Sequence, residues 1–265
     1  MKLLCGGDDI INYNDFIGSG THGSVYGSYL SSMIAVKIFN IQNCDDVKRG
    51  EFAFQETSRL HVMKYQHLFD DDVIINIPKV YGFKYLPTTH NPKCCMYFMD
   101  RLINIVQLAF NYDRLYDETL SSGRYVGIDT LKLMGYTDKD ISMMNRSIAS
   151  CMSILHYGMK IDAYDVEFVL DQQNKINAID YDKVNYYHEN YPYIIKRKLA
   201  ENQYENCRIT NQHQLSRFLA KAIMYCPHID YKEYEEWKNT YIHIATHFNK
   251  QHLAEHVMTQ YEYYF

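Results

Sequence analysis

The stretch Gly18-Ser19-Gly20-Thr21-His22-Gly23-Ser24-Val25 decides how this chain is interpreted. Its glycines have the spacing Gly-x-Gly-x-x-Gly, and Lys37 follows Val25 by twelve residues in the segment Ala35-Val36-Lys37. Apolar residues on either side predict strands across residues 13–39, with the glycines at the first turn. Glycines let such a turn close over phosphates, because a side chain there would block the backbone amides.

A glycine-rich hairpin without a ligand is the alternative for the loop taken alone. Its position between two strands, and not between a strand and a helix, argues against a dinucleotide-binding fingerprint. Lys37 on the next strand favours a nucleotide site, since this lysine would contact the α- and β-phosphates. Val25 would then cover one face of an adenine ring.

Residues 45–68 have the apolar spacing of a helix, and this helix supplies an acid for Lys37. A lysine in an apolar strand needs a carboxylate to fix its ammonium group. Distance along the chain favours Glu56, although Glu51 is an equally good acid and Glu56 could lie on a solvated helix face.

The rest of the chain changes gradually from strands to helices. Strand-like runs near residues 80–85 and 94–99 flank a turn that contains Pro87 and Pro92. Thr137, with Asp140 three residues later, predicts a capped helix whose apolar stripe ends at Gly158. Short strands are expected at residues 168–170 and 176–179, and helices at about 193–260 with a break at Pro227. This order predicts an α+β fold.

Three acids follow the long helix at spacings that suit phosphoryl transfer. Asp162 is followed five residues later by Glu167, and Asp180 comes directly after an apolar strand. A first carboxylate can accept a proton from an attacking hydroxyl, while later oxygen ligands hold Mg²⁺. Taken singly, acids after strands are common loop residues, so the order and spacing carry the interpretation.

Together these motifs resemble the protein-kinase superfamily over residues 13 to about 250. The resemblance implies a bilobal kinase-like fold, with a β-rich N-lobe at residues 1–99 and a helical C-lobe at residues 100–265. It implies ATP and Mg²⁺ as cofactors, Asp162 and Lys37 as catalytic residues, and Glu167 and Asp180 as metal ligands. The residues that it assigns to nucleotide binding are Gly18, Gly20, Gly23, Val25, Lys37, Glu56, Met99, Asp100 and Leu102, with Met99 at the gatekeeper position.

A narrower resemblance concerns a poorly characterised, mainly fungal kinase-like family that is named after zinc fingers. It rests on residues 161–170, on Tyr225-Cys226-Pro227 and on Glu235-Glu236-Trp237.

The chain also departs from the kinase pattern. Lys160-Ile161-Asp162 replaces His-Arg-Asp, so control by a phosphate on the activation loop is not expected. Tyr164 replaces the usual lysine, Glu167 replaces asparagine, and Asp182 stands in place of the DFG glycine. Two hypotheses remain open: a phosphotransferase that acts on a protein Ser/Thr or a small molecule, and a pseudokinase that serves as an interaction scaffold.

Composition excludes other classes of protein. A net charge of −5 argues against nucleic acid as a partner. The 7 cysteines have no regular spacing, so we expect free thiols and a reducing, intracellular compartment. No run of apolar residues approaches the length of a membrane span, and Asp8 ends the first apolar patch too early for a signal peptide. Two histidine pairs, 243/247 and 252/256, have zinc-like spacing on a predicted C-terminal helix, where a solvated face is the simpler interpretation.

Overall fold

The structure is a computed structural model of the 265-residue chain. It describes residues 10–19, 23–39, 44–69, 75–86, 94–111, 125–181, 184, 186 and 211–265. The strands, in chain order, are β1 (Ile11–Ser19), β2 (Gly23–Ser28), β3 (Ile34–Phe39), β4 (Ile75–Asn76), β5 (Val80–Leu86), β6 (Cys94–Asp100), β7 (Val106–Leu108), β8 (Tyr125–Val126), β9 (Glu167–Leu170) and β10 (Ile176–Ile179). The α-helices are α1 (Cys44–Val47), α2 (Ala53–Tyr65), α3 (Ile128–Leu133), α4 (Asp138–Ser153), α5 (Asn211–Tyr225), α6 (Glu233–Thr246) and α7 (Gln251–Tyr264). The predicted α+β class is confirmed.

The first sheet is antiparallel and has the strand order β1-β2-β3-β6-β5. Val25 on β2 lies directly opposite Lys37 on β3, so the two side chains share one face of the sheet. Alternate residues of β3, Val36 and Ile38, point to the other face and pack with Ile11 and Met96. The strand period thus places Lys37 away from this small core.

A π-helical turn (Lys48–Phe52) joins α1 to α2 beside this sheet. Val47 and Phe52 pack against Val80 and Tyr97, which tie the helices to β5 and β6. The sequence predicted one continuous helix here, whereas the structure places α1, the π turn and α2 in succession.

The second sheet has the order β4-β10-β9-β7-β8. Its central hairpin pairs β9 with β10 in antiparallel register, with Glu167 opposite Ile179. Asp180 follows Ile179 at the end of β10, so this register brings the side chains of Glu167 and Asp180 to the same end of the hairpin. The predicted strands at residues 168–170 and 176–179 are confirmed.

Helix α4 begins at the predicted capping box. Thr137 Oγ1 accepts a hydrogen bond from Asp140 N, and Asp140 Oδ2 accepts one from Thr137 N. The predicted apolar stripe is fully buried, and α4 packs against α6. Its last turn, Ile154–Gly158, is π-helical and leads into the segment that carries Asp162. The large core around α4 therefore fixes the position of that segment.

Cys44, Cys95, Cys151 and Cys226 are buried thiols that form no disulfide with one another. None of the helices in the described ranges combines the length and the apolar character that crossing a membrane requires. The C-terminal region divides into α5, α6 and α7, with Pro227 after α5 as predicted, and residues 193–210 lie outside the described ranges.

Candidate functional site

A cavity of about 600 Å³ lies between the β1–β2 hairpin and the β9–β10 hairpin. Its volume is in the range of sites that hold nucleotide-sized ligands. Apolar side chains form much of the wall, among them Ile17, Val25, Ala35, Met99, Leu102 and Ile179. Charged side chains lie among them, namely Lys37, Asp100, Asp165, Glu167 and Asp180. The cavity thus joins an apolar wall to a charged cluster.

The structure brings most of the predicted site residues to this cavity. Those that line it are Gly18, Gly23, Val25, Lys37, Met99, Asp100, Leu102, Glu167 and Asp180. Gly20 and Asp182 lie outside the described residues. Glu56 and Asp162 are described but are not among the residues that line the cavity.

The two described glycines of the loop differ in the room around them. A Cβ built on Gly23 would lie 2.2 Å from Ile38 O, a backbone atom of the neighbouring strand. A Cβ on Gly18 would meet nothing within 4 Å. Gly23 is therefore needed for β2 to pair closely with β3, and Gly18 is not needed for packing.

We expect Gly23→Ala to lower the free energy of unfolding by about 1–3 kcal/mol, because β2 must move away from the Ile38 carbonyl. Gly18→Ala is the matched control and should change stability by less than about 0.5 kcal/mol. Urea unfolding of both variants measures the difference. Equal losses in the two variants would contradict the contact at Gly23.

Lys37 lies at the centre of the charged cluster. Its Nζ donates to Glu51 Oε1 at 2.5 Å and to Asp180 Oδ1 at 3.2 Å. Burial alone would lower the pKa of this ammonium, but the charge of Glu51, with that of Asp180, outweighs burial and raises the pKa well above its usual value. Lys37 is therefore a permanent cation, and it connects Glu51 in the π-helical turn to Asp180 at the end of β10.

Glu51, and not Glu56, is the acid that holds Lys37, so the prediction of Glu56 was wrong. Glu51 lies in the π-helical turn, is 1% exposed, and also accepts a hydrogen bond from the Tyr97 hydroxyl at 2.7 Å. Glu56 instead binds Arg59 three residues later, with Arg59 Nη2 at 2.6 Å from Glu56 Oε1. Glu51 lies in a π-helical turn, which a spacing argument that assumes a regular helix does not anticipate.

Burial also affects the phenol that binds Glu51. It raises the pKa of Tyr97 well above its usual value, and the adjacent Glu51 charge acts in the same direction. Tyr97 thus stays neutral and donates its proton to the Glu51 carboxylate.

Asp180 and Glu167 form the acidic end of the cavity. Asp180 has a φ of 61°, which is a left-handed conformation that costs energy for a non-glycine residue. Glu167 accepts hydrogen bonds from Gln107 Nε2 and from the Tyr125 hydroxyl. Within the described ranges no group of three or more His, Cys, Asp or Glu side chains could hold a metal ion by itself. Two carboxylates suit Mg²⁺ when phosphate oxygens complete its coordination.

Asp162 lies behind the cavity wall. It is 0% exposed, and its Oδ2 accepts a hydrogen bond from Arg217 Nη1 on α5. Its Oδ1 accepts one from Tyr164 N at 3.2 Å. Asp165, three residues later, does line the cavity.

An ion pair joins β1 to the residue that follows β6. Arg101 Nη1 lies 2.5 Å from Asp15 Oδ2 on β1, and Arg101 Nη2 lies 2.9 Å from Asp15 Oδ1. This bidentate pair joins the glycine hairpin to the segment that follows Asp100. Gly27 on β2 makes room for the pair, since a Cβ there would lie 2.0 Å from Asp15 Oδ2.

The four C-terminal histidines were predicted to lie on one helix, but the structure distributes them over two helices. His243 lies on α6 and His247 directly after it, whereas His252 and His256 lie on α7. All four are exposed, which agrees with the interpretation of a solvated face.

Sequence reasoning missed several residues around the site. Gln107 and Tyr125 gave no signal, because each lies outside any motif. Arg217 and Lys221 did give one: they are two cations four residues apart on a helix that also carries Phe218 and Ala222. The i,i+3 spacing of Glu56 and Arg59 was likewise a readable sign that Glu56 had a local partner.

No protein-family model matches this chain, and no curated protein matches it significantly.

Proposed function

We propose that this chain is a divergent kinase-like phosphotransferase that binds ATP and Mg²⁺ between a β-rich N-lobe and a helical C-lobe. The observation that carries the proposal is the position of Lys37, whose ammonium bridges Glu51 and Asp180 at the wall of a cavity of about 600 Å³. A buried ion pair that reaches an open cavity is poised for an anionic ligand, and a triphosphate is the anion that fits the apolar wall beside it.

The apolar wall supports a purine ring. Val25 and Ala35 from the first sheet line the cavity together with Leu102 and Ile179 from other segments. An aromatic heterocycle between such side chains is bound through the hydrophobic effect, and Met99 lines the same cavity. A sugar-phosphate alone would leave this wall uncovered.

The charged cluster supports the phosphates. Lys37 would hold the α- and β-phosphates, and Glu51 with Tyr97 would fix the direction of its ammonium group. Asp180 and Glu167 would hold Mg²⁺, which neutralises charge on the phosphoryl group during transfer. The strained backbone at Asp180 supports the same assignment, because strain of this kind is retained chiefly at functional sites.

The test is nucleotide binding by the wild-type chain and by Asp180→Asn, with the exposed Asp230→Asn as control. At about a hundredfold excess over the Kd, ATP with Mg²⁺ should add about 2.7 kcal/mol to the free energy of unfolding of the wild type. Asp180→Asn should lose the Mg²⁺-dependent part of this gain and keep the part seen in EDTA, because it loses a metal ligand and not the lysine. Asp230→Asn should behave as the wild type does.

Calorimetric titration with ATP, ADP and AMP, each with Mg²⁺ or EDTA, completes the measurement. A wild-type chain that ATP neither binds nor stabilises under any of these conditions would refute the proposal. Transfer of γ-labelled phosphate to casein and to small alcohols then separates a protein Ser/Thr acceptor from a small-molecule acceptor.

A pseudokinase scaffold is the second candidate, and a specific observation favours it. Asp162 is fully buried and bound to Arg217, while Glu167 is engaged by Gln107 and Tyr125. If these contacts persist when nucleotide binds, the chain holds ATP without transferring phosphate. Stabilisation by ATP together with the absence of any label transfer would support this candidate.

A further inference from the structure

The segment between α4 and β9 carries two aspartates in different surroundings. Asp162 is 0% exposed and lies behind the cavity wall, whereas Asp165 is partly buried and lines the cavity beside Glu167. A general base must come within hydrogen-bond reach of the proton that it takes. The cavity therefore offers Asp165, and not Asp162, to a bound acceptor.

The Asp162 carboxylate is already engaged on both oxygens. Oδ2 accepts from Arg217 Nη1, and Oδ1 accepts from Tyr164 N. The Arg217 guanidinium also lies over the Tyr164 ring, 5.0 Å from its centroid. These contacts fix the start of the segment to α5. Asp162 therefore holds the backbone of the segment in place.

A second cation of α5 fixes the end of the segment. Lys221 lies one helical turn after Arg217, is 7% exposed, and donates from Nζ to Val166 O at 2.9 Å. Val166 stands between Asp165 and Glu167, the two acids that line the cavity. Burial lowers the pKa of Lys221 to about 8, while the negative charge of Asp165 and Glu167 opposes this shift. A buried cation thus lies next to the backbone that presents both acids.

The segment needs such support because its backbone is strained. Lys160 and Ala163 have φ values of 59° and 47°, both in the left-handed region that non-glycine residues rarely adopt. Strain at this level persists only where surrounding contacts hold the backbone in place. Arg217 and Lys221 provide those contacts on either side of Asp165.

We propose that Asp165 is the proton-accepting carboxylate of the phosphoryl transfer, and that Asp162 is a positioning residue that Arg217 holds. This inference rests on the proposed phosphotransferase function. In the step, the acceptor hydroxyl oxygen forms a bond to the γ-phosphorus as its proton passes to an Asp165 oxygen. The bond between the γ-phosphorus and the β,γ-bridging oxygen breaks, and its electron pair leaves with ADP.

The test uses the full chain with Mg²⁺ and ATP and measures ADP release, first with water as the acceptor and then with casein as a second acceptor. Asp165→Asn should lower kcat by about 10²–10⁴-fold, with the KM for ATP within about threefold and the urea midpoint little changed. Asp165→Glu should restore part of kcat. The acid limb of the pH profile of kcat/KM should disappear in Asp165→Asn.

Asp162→Asn should instead lower the urea midpoint, and the activity of its folded fraction should retain the acid limb. If this variant does not fold, Asp162→Asn with Arg217→Gln removes both charges of the pair and serves in its place. The titration of ATP itself is common to all variants and cancels in the comparison.

The opposite pattern overturns the inference: Asp165→Asn keeps kcat, while Asp162→Asn loses both kcat and the acid limb at an unchanged urea midpoint. A wild-type chain that binds ATP with Mg²⁺ but releases no ADP with either acceptor also overturns it and leaves the nucleotide site in place. A chain that ATP does not stabilise refutes the proposed function itself, so the two failures are distinguishable.

Discussion

Lys37→Met should lower the free energy of unfolding by about 3–5 kcal/mol, because it leaves the Glu51 carboxylate buried without its cation. Glu51 is 1% exposed, and its Oε2 has no hydrogen-bond partner among the described residues. The Tyr97 hydroxyl then remains as the contact of Oε1 in the variant. One neutral hydrogen bond does not compensate a buried negative charge.

Adding Glu51→Gln to Lys37→Met should recover most of the lost stability, since the second change removes the unpaired charge. The sum of the two single effects should therefore exceed the effect of the double variant by about 3 kcal/mol, the upper end of the range for residues in direct contact. Urea unfolding of the four chains at neutral pH gives this coupling energy.

Glu56→Gln is the matched control for Glu51→Gln. The pair of Glu56 with Arg59 is partly exposed, so its loss should cost no more than about 1 kcal/mol. Glu56→Gln should also show no coupling with Lys37→Met. Coupling of Lys37 to Glu56 in place of Glu51 would contradict the geometry of the π-helical turn.

Acid should destabilise the folded chain through His156. This side chain is 0% exposed, lies stacked on Phe218 at 4.1 Å, and has its Nδ1 2.7 Å from the Tyr241 hydroxyl. Burial lowers the pKa of His156 to about 3, and the nearby charge of Lys221 acts in the same direction. Folding therefore keeps the imidazole neutral at a pH where the unfolded chain binds a proton.

The direction of this pH effect follows from the protonation of His156 in the folded and in the unfolded chain. Because the pKa is lowered in the folded state, the contribution of His156 is fully present above pH 6.5 and is lost as the pH falls towards 3. The slope is half of its full value of about 1.4 kcal/mol per pH unit at pH 6.5, where the unfolded imidazole is half protonated, so the loss between pH 6.5 and 4.5 should be about 2 kcal/mol.

Urea unfolding of the wild type and of His156→Gln across this range measures the effect. The variant should be less stable than the wild type at neutral pH, since it loses the stacking on Phe218. Its loss of stability between pH 6.5 and 4.5 should be smaller than that of the wild type by about 2 kcal/mol. His252→Gln, at an exposed position, should keep the wild-type slope. Identical slopes in the wild type and His156→Gln would show that His156 does not titrate as inferred.

Local sequence patterns were sufficient to predict much of the fold. The capping box at Thr137 and Asp140 depends on residues three positions apart, and its hydrogen bonds are present in the structure. The strands around Lys37 follow from apolar runs and from the glycines between them, and the register that sets Val25 opposite Lys37 follows from a short connection. These features depend on neighbours in sequence.

The partners of Lys37 and Asp162 could not be predicted in the same way. Glu51 contacts Lys37 from within a π-helical turn, and no residue pattern in the sequence marks such a turn. Arg217 contacts Asp162 across 55 positions of sequence, which depends on how α5 packs against the core. Such contacts are set by tertiary packing, and so the sequence could identify the acids but not assign their roles.

The ion pair between Asp15 and Arg101 has an evolutionary consequence. Any side chain at position 27 would occupy the space of Asp15 Oδ2, and the flexible carboxylate would move away before the sheet did. Positions 15, 27 and 101 are therefore constrained to vary together. Homologues that retain the acid and the arginine should keep glycine at position 27, and those with a larger residue there should have lost the pair.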